Sequence, residues 1–239
     1  MIIKVSGLRE ASQIRDVAAM GVGMMAFDFR KESERFVRMI SSQAGIIPDY
    51  SEQRLAASRG YEARGERGES HYETQPTTTE STLVPQKVGV FADDMPQNII
   101  TRIYNYQLDA VQLDGCELPV MIDNLRRSVV PDICPRITII KTLHIHEAAD
   151  TDAWKDYEHH ADMLLLDIRE RNCVKDVVAR YNGTLPFLLS CGIGPDDTDF
   201  LKTISHPMLA GFDLDEGFET APALKDIAQL QTFIYQLSQ

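Results

Sequence analysis

Ala161-Asp162-Met163-Leu164-Leu165-Leu166-Asp167 is a short apolar run that stops on a carboxylate. It is far too short to span a membrane, and its unbroken apolarity reads as a strand buried on both faces, as strands of a parallel sheet are. Asp167 is then expected where the strand leaves the core. The same design recurs along the chain. Ile2 to Val5 runs into Ser6-Gly7, Val22 to Phe27 into Asp28, Val88 to Phe91 into Asp93, and Ala110 to Leu113 into Asp114-Gly115. Ile137 to Ile140 ends on Lys141, Phe187 to Leu189 on Ser190-Cys191-Gly192, and Leu209 to Phe212 on Asp213.

These are eight strand candidates, and helical patterns lie between most of them. Alternation of strand and helix requires crossover connections and hence parallel pairing, and eight such units close into a (β/α)₈ or TIM barrel whose polar strand ends share one rim. The length of 239 residues and the 44% hydrophobic content fit one such domain over residues 1–239. A net charge of −12 and a pI of about 4.9 speak against nucleic acid or an anionic membrane as partner, because both require a positive patch. An anionic ligand must therefore be held by a local site. Met1-Ile2-Ile3-Lys4 is strand-like and carries no signal-peptide pattern, so a cytoplasmic protein is expected.

Helices are expected over Glu10 to Met20, Pro96 to Tyr106, Leu118 to Val129, Cys173 to Tyr181, Pro195 to Ile204 and Leu224 to Leu237. A further one, the second in chain order, is expected after Ser33 as cap, with Phe36, Val37 and Ile40 as its buried stripe. Arg35 lies in its first turn, where a cation opposes the helix dipole; it is either solvated or reaches across the barrel mouth to an anion. After this helix, Gly45 to Gln86 has no sustained apolar period. It is polar and low in complexity, and is expected to be a mobile insertion, with Ser51 to Ser58 a candidate short helix.

Cys116, Cys134, Cys173 and Cys191 show neither CxxC nor zinc spacing, and are expected as free, mostly buried thiols, with Cys191 at a strand end the one to watch. His144, His146 and His159-His160 have no carboxylate or cysteine at ligand spacing, and the first two are expected to face opposite ways, so no metal site is assigned. Gly192-Ile193-Gly194 before Pro195 is either a tight turn or a place where backbone N–H groups meet a phosphate at a helix start.

Several segments resemble, in order, those of phosphoribosylanthranilate isomerases. They are Lys4-Val5-Ser6-Gly7-Leu8, Ser33-Glu34-Arg35-Phe36-Val37, Lys87 to Phe91, Leu108 to Gly115 and Leu164 to Asp167, followed by Leu185 to Ile193 and Gly211 to Glu219. The resemblance covers nearly the whole chain outside Gly45 to Gln86. It implies a (β/α)₈ enzyme of tryptophan biosynthesis that rearranges an N-phosphoribosyl anthranilate, an aminoaldose, to the aminoketose, with no cofactor or metal. A general acid opens the ribose ring and a general base removes the C2′ proton. Asp167 matches the acid, and Arg35 the arginine at the anthranilate end of the substrate. Gly192-Ile193 and the turn after Asp213 match the family's phosphate cradle, and Gly7 falls in a matching substrate-binding segment.

The chain departs from the family pattern in four places. Ser6 stands where the family has its cysteine base, Asp114 where a histidine ends the fourth strand, and Asp215-Glu216 where Asn-Ser helps hold phosphate. Ile168-Arg169-Glu170-Arg171-Asn172 replaces a Gly-Gly-Thr-Gly segment, and Arg169 and Arg171 either restore positive charge to the rim or are solvated. Two readings of different class follow. One is a working isomerase with altered site residues, taking a small phosphosugar as monomer or homodimer; the other is a catalytically degenerate barrel that binds another ligand or a partner. The same barrel acting on a different phosphosugar is a third.

Overall fold

The computed structural model describes residues 1–46 and 84–239. Eight strands, β1 (Ile2–Val5), β2 (Met24–Asp28), β3 (Gln86–Phe91), β4 (Ala110–Leu113), β5 (Thr138–Ile145), β6 (Met163–Ile168), β7 (Phe187–Ser190) and β8 (Leu209–Leu214), pair in chain order and in parallel. β1 closes the barrel on β8, with Ile3 opposite Phe212 and Val5 opposite Leu214.

The period of two along each strand sorts the side chains into two cores. Met24, Ala26, Val88, Val90, Ala110, Ile140, Met163, Leu165 and Leu188 fill the barrel interior. The alternate residues, such as Met25, Phe27, Val111, Leu113, Leu164 and Leu166, join the larger core between barrel and helices. Continuing the inward set past the apolar layer brings Ser6, Asp28, Asp114, Asp167 and Asp213 to one mouth. Six α-helices lie among the described residues: α1 (Ala11–Ala18), α2 (Pro96–Tyr106), α3 (Pro119–Val129), α4 (Val174–Arg180), α5 (Thr198–Lys202) and α6 (Ile227–Ser238). α2 and α3 both begin on a proline, whose missing N–H costs nothing in a first turn.

Several expectations are corrected. Ser33 to Ile40 is not a helix; the Val37 N–H donates to the Asp28 carbonyl (2.7 Å), folding the segment back against the end of β2. Val37 and Ile40 are buried all the same, so apolar spacing was met by a loop. A single 3₁₀ turn (Ser42–Ala44) follows, capped by Ser41. Most of the Gly45 to Gln86 insertion, including the candidate helix at Ser51 to Ser58, lies outside the described residues, and Gln86 already belongs to β3. The helix expected from Pro195 is only α5, and that expected from Leu224 starts at α6, because Leu224–Lys225 pairs antiparallel with Glu219–Ala221. Between β5 and β6 runs a 3₁₀ segment, Ala148–Asp156.

β5 also continues well past Lys141. Lys141 alternates with the inward Ile140 and Thr142, so its chain leaves the barrel interior, where Nζ donates to Glu117 (3.0 Å) and to the Leu113 and Gly115 carbonyls. The cation is fully paired behind the barrel wall and does not end the strand. Behind β6 and β7, Tyr181 packs edge-on against Trp154 and Phe187, and its hydroxyl donates to the buried Leu185 carbonyl (2.7 Å). Tyr181→Phe orphans that carbonyl and should cost about 1–2 kcal/mol in denaturant unfolding; no change in the unfolding midpoint would mean that water replaces the hydroxyl. Among the described residues, no helix is long and apolar enough to cross a membrane.

Candidate active site

A cavity of about 340 Å³ opens at the C-terminal ends of the strands. The site residues read from the sequence line it, namely Ser6, Gly7, Arg35, Asp114, Asp167, Gly192, Ile193, Asp213, Asp215 and Glu216, whereas Arg171 and Cys191 do not. Arg30, Gln112, His144 and Gly217, not assigned to it from the sequence, line it too, as do the strand-end residues Asp28 and Ser190 and the rim residue Arg169.

On one wall, β1 and β8 place a buried group of three. The Ser6 hydroxyl donates to Asp213 Oδ1 (2.6 Å) and accepts from Lys4 Nζ (2.5 Å), which also donates to Asp213 Oδ2 (2.8 Å). Lys4 is fully buried, so its charge is directed wholly at these two partners.

On the opposite strands, His144, one residue before the end of β5, lies beside Asp167 of β6, the two residues being direct neighbours in register. His144 Nδ1 is 2.9 Å from Asp167 Oδ2, and Nε2 is 2.8 Å from the Asp114 backbone oxygen. The hydrogen bond with Asp167 raises the imidazole pKa above its ordinary value; burial opposes this, and the Asp114 carbonyl adds to it. The expectation that His144 and His146 face opposite ways fails on the period of a strand, which brings residues two apart to one face. His144 instead differs in lying inside β5, whereas His146 lies beyond its end. Asp114 holds this region from the other side. Its carboxylate is ion-paired with Arg30 and accepts from Gln112 Nε2 (3.3 Å). Arg30 also grips Asp28 through Nε (2.9 Å) and Nη2 (2.7 Å). Burial would push the Asp28 carboxyl up, but bonds from Arg30 and Ser33 outweigh it and hold it below the ordinary range.

Arg35 is neither solvated nor stretched across the mouth; it reaches over the turn after β1 to an anion supplied by the protein beyond β8. Its Nε and Nη2 clamp Glu219 (2.9 and 2.7 Å), and Asp215 and Glu216 lie within 3.5 and 3.7 Å. The buried Lys225 holds Glu219 (2.9 Å) and Asp215 (3.3 Å) from behind. Gly7, at φ +71°, passes under this pair; a Cβ there would lie 2.8 Å from Arg35 Cδ, which is why the turn after β1 requires glycine.

The loops after β7 and β8 meet backbone to backbone. A Cβ on Gly217 would sit 2.0 Å from the Ile193 carbonyl oxygen, so only glycine allows the approach. Nearby, Asp197 accepts from the Gly194 N–H (2.6 Å) and pairs with Arg171. Glu216 lines the cavity but is largely exposed, its side chain at 74%. Cys191 is turned into the core between barrel and helices, and burial pushes its thiol up to about 11. Of the other thiols, Cys116 is exposed and Cys134 and Cys173 are half-buried, so all four are free but only Cys191 is buried. Among the described residues, no cluster of three or more histidines, cysteines and carboxylates could hold a metal ion.

Comparisons with known proteins converge. Residues 57–236 match the family described as N-(5′-phosphoribosyl)anthranilate isomerase. A relative of that name from Parabacteroides distasonis is 31% identical, the match covering 99% of this chain and 93% of the relative. One from Phocaeicola vulgatus is 30% identical, covering 100% and 98%. A crystal structure of a phosphoribosyl anthranilate isomerase in complex with reduced 1-(o-carboxyphenylamino)-1-deoxyribulose 5-phosphate superposes with a TM-score of 0.66 at 22% identity, covering 100% of this chain and 99% of that one. At that identity the likeness is one of fold.

Proposed function

The chain belongs to the N-(5′-phosphoribosyl)anthranilate isomerase family, and from that premise we propose that it rearranges N-(5-phosphoribosyl)anthranilate to the aminoketose of tryptophan biosynthesis with Asp167 as acid and a Ser6–Asp213 relay as base. The observation that supports this most is the hydrogen-bonded group Lys4–Ser6–Asp213, lining the same cavity as Asp167.

Asp167 gives a proton to the ribose ring oxygen as the C1′–O bond breaks, and the nitrogen lone pair forms the C1′=N bond of a protonated Schiff base. Loss of the C2′ proton then returns an electron pair to nitrogen and gives the enolamine, which tautomerises to the ketone. For that second step a thiol, titrating near 8.5, would suffice, whereas a lone hydroxyl would not. Ser6 is not alone. As its oxygen takes the C2′ proton, its own proton passes to Asp213 across 2.6 Å, so that Asp213 ends protonated and Ser6 unchanged. Lys4, donating to the same oxygen, stabilises the negative charge that develops there. Cys191 does not serve as a substitute base, being turned away and held protonated at neutral pH.

The substrate lies with its anthranilate end toward Arg35 and its phosphate toward Gly192, Ile193 and Gly217. Glu216 borders this end, and two like charges about 4 Å apart in water repel by ~1 kcal/mol. Glu216→Gln should therefore lower KM by up to about 5-fold at low salt, with the difference shrinking as salt screens it. A KM unchanged at every ionic strength would show that Glu216 stays with Arg35 and never faces phosphate.

Ser6 and the acidic Asp215-Glu216 pair favour the second reading, a barrel that keeps the fold and has lost the reaction. Complementation separates the two. Expression in a tryptophan auxotroph that lacks the isomerase should restore growth; failure of a folded, soluble protein to do so would establish the degenerate reading.

A further inference from the structure

His144 has no place in the chemistry set out so far, yet its surroundings fix its proton content. A backbone carbonyl only accepts hydrogen bonds, so the 2.8 Å approach of Nε2 to the Asp114 oxygen requires a proton on Nε2. Nδ1 then carries a second proton or a lone pair. If it carries a lone pair while Asp167 is ionised, lone pairs face each other across the 2.9 Å between Nδ1 and Oδ2. The contact is attractive only when one proton lies on that line, as Oδ2–H···Nδ1 or as Nδ1–H···⁻Oδ2.

We propose that His144 is the second half of the acid: the His144–Asp167 pair holds a single proton between its two members and supplies it to the ribose ring oxygen. This deepens the isomerase reading and rests on it. The pair keeps a transferable proton at this mouth, because a proton on the line between Nδ1 and Oδ2 sits within one hydrogen bond of both groups. Here the proton lost by Asp167 in the step leaves a carboxylate and a neutral imidazole, and the half-exposed His144 recovers it from solvent. The proton taken from C2′ leaves the base wall separately, so the cycle balances.

The charged groups facing the imidazole's side of the cavity are Asp167 on β6, Asp114 just after β4 with its carboxylate turned to Arg30, and Arg169, which follows β6 and lines the same cavity. The hydrogen bond with Asp167 raises the His144 pKa most, burial opposes it, and Asp114 adds to it, in the sense that the pairing requires. His144 fell outside the sequence-based assignment because β5 was expected to stop at Lys141.

Two readouts test the proposal. The first needs no activity: ¹⁵N chemical shifts of the imidazole nitrogens followed against pH. The expected result is a proton on Nε2 throughout, with His144 titrating above 6.5 and moving back toward 6.5 in Asp167→Asn. Titration at 6.5 in both proteins, or a neutral form protonated on Nδ1, would overturn the pairing. The second is the pH dependence of kcat in His144→Gln, where turnover near neutral pH should fall on the order of 10²-fold and the alkaline limb should move to lower pH. A profile of unchanged shape, merely lower, would overturn the proton-holding role, because a structural contact scales the rate without moving a titration. If no form of the protein turns over the substrate, the isomerase reading fails, while the ¹⁵N titration still decides whether the pair shares its proton.

Discussion

Asp167→Asn should lower kcat by on the order of 10²-fold or more, the loss expected when a positioned general acid is removed, while KM changes little. Asn has nearly the same shape and can still bond to His144, so binding geometry is retained. What it cannot do is release a proton to the ring oxygen. Opening the ribose then depends on water or on His144 acting across a longer path. Turnover equal to that of the parent protein would mean that the ring is opened by another group.

The second large effect belongs to Ser6. Ser6→Cys should raise kcat by roughly 10²-fold, because a thiol reaches its anionic form near neutral pH and a hydroxyl does not. The setting favours a thiolate: Lys4 Nζ lies against the side chain at this position, and a neighbouring cation lowers a thiol pKa. Ser6→Ala should move the other way by a similar factor, since it breaks the route from C2′ to Asp213. Together the two variants distinguish the possible bases. A gain with Cys and a loss with Ala support the relay. Unchanged turnover in Ala would make Asp213 the base on its own, and no gain in Cys would show that the Ser6 relay is already as good as a thiol.

How much of this was legible in the sequence follows from the physics of the strands. An apolar run ending on a polar residue marks both the strand and its exit from the core, so the barrel and the mouth positions Ser6, Asp114, Asp167 and Asp213 could be read directly. The errors arise where a local pattern has a tertiary cause. Lys141 looked like a strand end because a charge seldom sits mid-strand, but Glu117, distant in sequence, pairs with it behind the wall. That one misreading hid Thr142, His144 and half of the proposed acid. Val37 and Ile40 carry helical spacing, yet a hydrogen bond back to Asp28 makes the segment a loop that buries them equally well. Lys4 could not be placed from its neighbours, since its partners are Ser6 and an aspartate 209 residues away. Arg30 likewise has no signal in the sequence beyond its charge, because its role as a clamp exists only once β2 and β4 bring Asp28 and Asp114 together.

The most direct measurement is turnover of N-(5-phosphoribosyl)anthranilate by the purified full chain, followed as formation of carboxyphenylamino-deoxyribulose phosphate. The predicted result is saturable turnover that falls by about 10²-fold or more in Asp167→Asn. A folded protein that shows no turnover above the uncatalysed rate, with Ser6→Cys equally inert, would contradict the assignment of this mouth as an isomerase site.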